Sequence, residues 1–457
     1  MNKVMKKSLL LLPLSLIALG AVGCGSKSGG KTKITFWHTM GQGLQTVLDR
    51  VIEEFNKAYP DVEIEHAAQG GYEDLEDKIK TAIPAGTTPT MAYCYPDHVA
   101  EYMESNACIS VADYINDPEL GFSEEEGSVD DFIKAYWQEG QEYIQEGIYS
   151  VPFQKSTEMV FYNKTVFEAE GYTIPETWED LETLMATMKA NDPDVIPLGY
   201  DSDGNLFITL CEQYGIPYTS LDRSTGKASA DFNNPAAKKM VEKLKNWYDL
   251  GYIQTQGTSN GSYTSTLFTE GKLLMTVGST GGTTYNWTTN FQIGTAQVFK
   301  PKAEGHFDFF AGTGTTQTLP MTDHTIMQGP SICFFRRGTK AQKEAAWRFY
   351  KYLAKADFSS AFAIKNGYSP VRESSFTSPS MVEYLSKDKT GEAGLIQNTI
   401  RMYPDLTGRY FVSPAFHGSS TARTQVGAIL SNVFVGTKDI ATAFAEAIAK
   451  VKFAMGS

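Results

Sequence analysis

The chain has 457 residues, of which 42% are hydrophobic and 20% are charged, and its formal net charge at pH 7 is −13. A chain of this length is expected to form two or three globular domains with cores of their own. The acidic balance and the lack of a basic block argue against nucleic acid as the main partner.

The N-terminus has the pattern of an export signal. Lysines precede an almost entirely apolar run over residues 8–22, which contains a proline and is short for a membrane-spanning helix. We therefore predict a secretory signal peptide over residues 1–23. The sequence Ala21-Val22-Gly23-Cys24 resembles a bacterial lipobox. This resemblance implies cleavage before Cys24 and lipidation of its sulfur; the alternative is an ordinary signal peptide with an incidental cysteine.

Residues 24–32 have the glycine- and serine-rich composition of a flexible tether. A lipid on Cys24 would hold the globular body at the outer face of the cell membrane through this tether. No later segment approaches about 18 consecutive apolar residues, so we expect the remainder of the chain to be soluble.

Strands and helices alternate from residue 34 onward. Residues 34–38 are rich in β-branched and aromatic side chains, residues 44–58 have helical periodicity, and residues 62–65 alternate apolar with acidic side chains. This unit predicts parallel pairing with a right-handed crossover. Further predicted strands lie at 90–95, 149–153 and 159–162, and further predicted helices at 72–83, 130–145, 178–189, 235–250, 341–355 and 437–451. The predicted fold class is α/β.

The cysteines after Cys24 form no CxxC pair and no cluster with zinc spacing. They are expected to be buried small hydrophobic residues. A disulfide between Cys94 and Cys108 is the alternative.

A set of short motifs carries a more specific signal. The motifs are ITFWHTMG at Ile34–Gly41, VPFQKST at Val151–Thr157, FYNK at Phe161–Lys164, PETWEDL at Pro175–Leu181, FTEGKLLM at Phe268–Met275 and GYSPVR at Gly367–Arg372. In this order and spacing they resemble the extracellular solute-binding proteins of carbohydrate-type ABC importers. The resemblance covers residues 33 to about 452.

This resemblance implies a two-lobe periplasmic-binding-protein fold, with a ligand cleft between lobes that hinge strands join. Lobe 1 would comprise residues 33–158 and 298–356, and lobe 2 residues 159–297 and 357–457. The protein would capture a carbohydrate or sugar-like solute by hinge closure and deliver it to the transmembrane subunits of an ABC permease. It would act as a monomer, without a metal or cofactor.

Within this family the chain resembles glycerol-3-phosphate-binding proteins. That resemblance implies ligand contacts from Tyr72, Ser156, Ser279, Thr280, Gly281, Gly329, Ser331, Tyr368 and Arg423. In the second lobe those proteins carry a tryptophan that stacks on the ligand, and this chain has Asp203–Phe207 there, with Phe207 as the candidate substitute. Gln42 is a separate candidate, because its loop follows the first strand at the edge where open α/β sheets bind ligands.

The candidate residues suit two ligand classes. Tyrosines, serines and glycines can bind the hydroxyls and apolar faces of a sugar, and Arg423 with hydroxyls and backbone N–H groups can bind a phosphate. Glycerol-3-phosphate or a glycerophosphodiester and a neutral oligosaccharide therefore both remain possible. A secreted carbohydrate-active enzyme is a remote alternative, because no carboxylate pair or nucleophile lies in a recognisable catalytic motif. We accordingly predict no catalytic residues.

Overall fold

The computed structural model describes residues 30–303 and 305–456. The predicted signal peptide, Cys24 and most of the tether lie outside these residues. Within the described part of the chain, no helix is both long and apolar enough to cross a membrane.

The strands alternate with helices along most of the chain. They are β1 (Thr32–His38), β2 (Val62–Ala68), β3 (Met91–Cys94), β4 (Ser150–Pro152), β5 (Glu158–Asn163), β6 (Ile196–Tyr200), β7 (Thr219–Asp222), β8 (Lys227–Ala230), β9 (Ile253–Thr255), β10 (Leu273–Ser279), β11 (Ile293–Gln297), β12 (Thr325–Ile326), β13 (Ser331–Phe334) and β14 (Tyr410–Phe411).

Seventeen α-helices lie between and after these strands in the described part of the chain. They are α1 (Gln42–Ala58), α2 (Tyr72–Ala85), α3 (Pro96–Glu104), α4 (Ala112–Asn116), α5 (Lys134–Glu139), α6 (Lys164–Glu170), α7 (Trp178–Asn191), α8 (Asp203–Gln213), α9 (Pro235–Asp249), α10 (Thr264–Thr269), α11 (Asp308–Ala311), α12 (Lys340–Leu353), α13 (Ala356–Asn366), α14 (Pro379–Leu385), α15 (Gly391–Leu406), α16 (Ser419–Phe434) and α17 (Ile440–Ala454).

Two five-stranded sheets organise the molecule. The first has the order β2-β1-β3-β13-β4 and the second the order β11-β5-β10-β6-β9. In the first sheet β1 runs parallel to β2 and β3, as the strand–helix–strand unit predicts. Each sheet has a separate large hydrophobic core, one around Phe36 and Trp347 and the other around Leu198 and Trp247. The α/β class with two lobes is thereby confirmed.

The chain crosses between the lobes beside the start of β5. Phe153 packs in the first core and Val160 in the second, so the first crossing lies between these residues. Ile326 packs in the second core and Met327 in the first, which gives a second crossing next to it. The two crossings pair through backbone hydrogen bonds from Ser156 N to Gln328 O, at 2.9 Å, and from Gln328 N to Ser156 O, at 2.7 Å.

The side-chain packing differs from the predicted lobe limits at two points. Phe299 and Phe310 pack in the second core, although the prediction starts a lobe 1 segment at residue 298. Phe358 and Phe362 pack in the first core, although the prediction returns to lobe 2 at residue 357. Val371 still packs in the first core, whereas Ala422 and Val426 of α16 pack in the second, so the chain crosses a third time after Val371. We therefore propose lobe limits that follow these three crossings.

The helix predicted over residues 130–145 is wrong. Only Lys134–Glu139 is α-helical there. A Cβ atom at Gly140 would lie 1.9 Å from the carbonyl oxygen of Ser150, so the backbone approaches β4 closely and turns at this glycine. Tertiary packing against β4 therefore ends a helix that the local periodicity alone would extend.

The cysteines of the described chain are buried and free, as predicted from the lack of CxxC or zinc spacing. They are Cys94, Cys108, Cys211 and Cys333. No disulfide joins Cys94 to Cys108. Burial raises the pKa of the Cys94 and Cys211 thiols, which keeps them protonated and unreactive.

Candidate functional site

The crossing segments form a tightly bonded hinge. The hydroxyl of Thr157 donates to the carbonyl of Ile326 at 2.8 Å. The backbone N–H of Thr157 donates to Thr280 Oγ1 at 3.1 Å, and Thr280 N donates to the carbonyl of Thr157 at 2.8 Å. The hydroxyls of Tyr403 and Thr280 are hydrogen-bonded to each other at 2.7 Å, and the Tyr403 hydroxyl also bonds to the carbonyl of Gly367 at 2.5 Å. Thr280 is thus committed to the hinge and contributes no free hydroxyl to a ligand.

Three tyrosines from separate segments meet beside this hinge. Tyr72 is the first residue of α2, Tyr95 precedes α3 and Tyr368 follows α13. The hydroxyls of Tyr72 and Tyr368 are 3.4 Å apart, and the ring centroids of Tyr72 and Tyr95 are 4.7 Å apart. Burial raises the pKa of all three hydroxyls. They therefore stay protonated and can act as hydrogen-bond donors to a polyol.

Small residues of the second lobe lie against this tyrosine cluster. A Cβ atom at Gly281 would lie 2.4 Å from Tyr368 Cε1, so only glycine permits the ring to sit there. Ser279 ends β10, accepts a hydrogen bond from Gly281 N at 3.2 Å and donates to Ser156 Oγ at 3.2 Å. Ser156, Ser279, Gly281, Tyr72 and Tyr368 are thus brought together where the lobes meet.

Arg423 lies on α16 and lines a cavity of about 40 Å³ between the lobes. The cavity is lined from the first lobe by Tyr95, Pro96, Asp97 and Glu139, and from the second lobe and the crossings by residues including Tyr218, Gln328 and Arg423. Binding sites for small molecules usually measure about 300–1,000 Å³. A sugar-sized solute therefore needs the lobes to move apart before it can enter.

A buried carboxylate is joined to Arg423 through an amide. Arg423 donates to Asn205 Oδ1, and Asn205 Nδ2 donates to Glu158 Oε1 at 2.8 Å. Tyr200 donates to Glu158 Oε2 at 2.5 Å, and Gln328 donates to Oε1 at 3.3 Å. Burial raises the pKa of Glu158 to about 7, against the opposing effects of these hydrogen bonds and of Arg423. Glu158 therefore binds a proton more readily than an exposed carboxylate does.

A second buried charge pair lies behind the hinge. Lys155 is fully buried, and its Nζ donates to both carboxylate oxygens of Glu139 at 2.9 and 2.7 Å and to the carbonyl of Gly329 at 3.0 Å. Ser331 donates to Glu139 Oε2 at 2.8 Å. Gly329 has φ +83°, and a Cβ atom there would lie 2.0 Å from the carbonyl oxygen of Gln154. In this structure Gly329 and Ser331 therefore support the hinge framework.

Carboxylates of the first lobe contact the beginning of α16 in the second lobe. Glu101 of α3 accepts hydrogen bonds from Gly418 N at 2.6 Å and from His417 Nδ1 at 2.8 Å. Glu76 of α2 accepts from Ser420 Oγ at 3.2 Å. Negative charge at a helix N-terminus is favourable, so these contacts hold the lobes together at the helix that carries Arg423.

Replacing Glu101 by glutamine is expected to favour separation of the lobes. The substitution removes a charge–dipole interaction of about 1 kcal/mol from the closed form only. Small-angle X-ray scattering of the ligand-free variant should therefore give a larger radius of gyration than that of the wild type. Glu104→Gln, at an exposed position on the same helix, is the control and should leave the radius unchanged. Equal radii for all three proteins would contradict this assignment.

Two candidates remain, Gln42 and Phe207. Gln42 is exposed at the first position of α1. Phe207 is fully buried and packs against Phe232 and Phe444 in the second core, so the interpretation of Phe207 as a stacking platform is wrong. Tyr218 lines the cavity instead.

Sequence reasoning missed Glu158, Asn205 and Gln328. Glu158 directly follows a motif threonine and precedes the apolar run Met159–Phe161. A carboxylate at the start of a buried strand could have marked it as unusual, because such a charge needs compensating partners. Neither amide has a comparable signal in its local sequence.

Comparison with known proteins shows what this architecture is similar to. A family model described as "Bacterial extracellular solute-binding protein" matches residues 50–388. The sn-glycerol-3-phosphate-binding periplasmic protein UgpB of Escherichia coli K12 is 25% identical over 376 residues, which cover 79% of each chain. A protein of the same name from Shigella flexneri serotype 5b matches to the same extent.

Solved structures share the fold at lower identity. UgpB from Mycobacterium tuberculosis in complex with glycerophosphocholine is 16% identical, with a TM-score of 0.73 over 93% of this chain and 99% of that chain. The GacH receptor of Streptomyces glaucescens, solved unliganded and with acarbose, is 17% identical, with a TM-score of 0.72 over the same shares. MalE from Bdellovibrio bacteriovorus bound to maltotriose is 17% identical, with a TM-score of 0.68 over 93% of this chain and 100% of that chain.

Proposed function

The chain belongs to the family of bacterial extracellular solute-binding proteins, and we propose that it captures a sugar-like solute for an ABC importer. Capture would occur between the lobes, with closure about the paired crossings at Ser156 and Gln328. Closure would present the loaded protein to the transmembrane subunits of the permease. A protein of this family acts by binding and not by catalysis.

The proposed ligand is glycerol-3-phosphate or a glycerophosphodiester. The observation that carries this proposal is the position of Arg423, which lines the interlobe cavity. A guanidinium matches phosphate oxygens in geometry and charge. Across the hinge, the hydroxyls of Tyr72, Tyr368 and Ser279 suit the glycerol moiety. The names of the UgpB relatives give independent support.

A neutral oligosaccharide is the second candidate. The observation that favours it is the acidic surrounding of Arg423, because Asp97 and Glu139 line the same cavity and Glu158 lies behind it. Lys155 neutralises Glu139, but Asp97 and Glu158 already offset the charge of the arginine. Tyr95 and Tyr218 could then supply the aromatic surfaces on which sugar rings stack.

The family places the protein outside the cytoplasm. We propose further that residues 1–23 direct its export and that a lipid on Cys24 attaches it to the cell membrane, where it acts as a monomer. Replacing Cys24 by serine should release the protein from the membrane fraction. Continued membrane association of this variant would count against the lipid anchor.

Thermal unfolding against a ligand panel tests the function. The panel contains glycerol-3-phosphate, glycerophosphocholine, maltose and maltotriose. A ligand present at about 100 times its dissociation constant stabilises the folded state by about 2.7 kcal/mol, which raises the melting temperature by several degrees. A shift with the phosphates supports the first ligand class, and a shift with the neutral sugars alone supports the second. If no ligand of the panel raised the melting temperature, both proposed ligand classes would be contradicted.

A further inference from the structure

Glu158 occupies a distinctive position in the molecule. It is the first residue of β5, where the chain enters the second lobe, and it is 3% exposed. Its carboxylate accepts hydrogen bonds from Tyr200, Asn205 and Gln328, all of which are neutral donors. The ring of donors compensates part of the cost of burying a charge, but none of them carries a positive charge.

The cation that acts most strongly on this carboxylate is Arg423. The side chain of Asn205 lies between the two groups, with its amide nitrogen on Glu158 and its amide oxygen on the guanidinium. Arg423 also lines the interlobe cavity. The same guanidinium therefore serves as the countercharge of Glu158 and as the candidate anchor of a ligand.

Other charged groups near Glu158 are acidic or engaged elsewhere. Asp201 raises the pKa of Glu158 further, and its own carboxylate accepts hydrogen bonds from Thr264 N at 2.7 Å and Thr264 Oγ1 at 2.9 Å. Asp203 accepts from Thr255 Oγ1 at 2.6 Å and from Gly257 N at 2.9 Å. Asp97 and Glu139 line the cavity, and the charge of Glu139 is compensated by the buried Lys155, whose Nζ lies 2.7 Å from Glu139 Oε2. An added anion near Arg423 would thus meet a region that already has an excess of carboxylates.

We propose that capture of an anionic ligand at Arg423 is coupled to the uptake of one proton by Glu158. The inference rests on the proposed phosphate-type ligand. When a phosphate group pairs with Arg423, the guanidinium no longer offsets the charge of Glu158, and the two anions repel each other. A proton from solvent on Glu158 removes that repulsion. The hydroxyl oxygen of Tyr200 can then accept the new hydrogen bond, because this hydroxyl is able to rotate.

The direction of the pH dependence follows from linkage. In the ligand-free protein the pKa of Glu158 is about 7, and the proposal requires that ligand binding raises this pKa. Below this pKa Glu158 is protonated in both the ligand-free protein and the complex, so the affinity for the ligand does not change with pH. Above it, affinity falls by up to about tenfold per pH unit until the pKa of the complex is reached.

Isothermal titration calorimetry of the purified protein tests this coupling. The probe is glycerophosphocholine, because its phosphodiester keeps one charge, whereas a phosphomonoester titrates at a pKa of about 6. Titrations near pH 8 in buffers of different ionisation enthalpy give the number of protons taken up. We expect about one proton per ligand bound by the wild type.

Two variants sharpen the result. Glu158→Gln, which mimics the protonated side chain, is expected to take up no proton and to bind with the low-pH affinity of the wild type at every pH. Asp201→Asn removes a neighbouring buried carboxylate that is not bonded to the Asn205–Arg423 pair, and it should keep the proton uptake.

The calorimetric titrations separate failure of the coupling from failure of the proposed ligand class. Diester binding by the wild type without proton uptake would overturn the coupling and leave the proposed ligand class intact. No binding of either glycerophosphocholine or glycerol-3-phosphate between about pH 6 and pH 9 would overturn the ligand class and the coupling together. Should Glu158→Gln fail to fold, the proton count of the wild type alone decides.

Discussion

Replacing Arg423 by glutamine is expected to weaken binding of a phosphorylated polyol by about a hundredfold. A charge-assisted pair with a phosphate in a partly desolvated cleft contributes about 2–4 kcal/mol. Glutamine keeps a polar side chain near Asn205 but supplies neither the charge nor the guanidinium fork. Calorimetric titration with glycerol-3-phosphate measures the change directly.

The control for this substitution is Arg401→Gln. Arg401 lies on α15 of the same lobe, is about two-fifths exposed and pairs with Asp388, so its loss should leave the affinity unchanged. Binding of a neutral sugar, where it occurs, should depend far less on Arg423. If Arg423→Gln bound glycerol-3-phosphate as tightly as the wild type, the arginine could not be the anchor.

Replacing Lys155 by methionine is expected to lower the free energy of unfolding by about 3–5 kcal/mol. The side chains of Lys155 and Glu139 are 0% and 2% exposed. Methionine would leave the Glu139 carboxylate buried with the hydroxyl of Ser331 but without its countercharge. Chemical denaturation at neutral pH measures the loss.

A double substitution separates charge imbalance from lost packing. Lys155→Met combined with Glu139→Leu removes both charges, and a buried pair replaced by apolar groups of similar size often costs little. The double variant should therefore recover much of the lost stability. Lys239→Met, which breaks an exposed pair with Glu242, should change stability far less. A double variant no more stable than Lys155→Met would show that the loss comes from packing.

The sequence predicted the fold best where the local pattern agrees with the tertiary contacts. The unit β1–α1–β2 was predicted because its strands and its helix bury apolar side chains at the expected period. The helix over residues 130–145 was not predicted correctly, because the close approach of Gly140 to β4 is a tertiary contact. Sequence periodicity carries no information on such a contact.

In the candidate site too, residues within motifs could be predicted from the sequence, and tertiary contacts could not. Motif position was enough to nominate Tyr72, Tyr368 and Arg423, which the structure places between the lobes. The bond between Glu158 and Asn205 joins residues 47 positions apart, and no local pattern marks that partnership. Phe207 was misjudged because an aromatic residue on a buried helix and one on a cleft wall look the same in sequence.

The most direct test of the account is a crystal structure of the protein with whichever solute stabilises it most. We predict that the solute lies between the lobes and contacts Tyr72 or Tyr368 on one side and Arg423 on the other. A phosphorylated ligand should place its phosphate on the guanidinium. A solute bound to one lobe alone, or away from the cavity that Arg423 lines, would contradict the account.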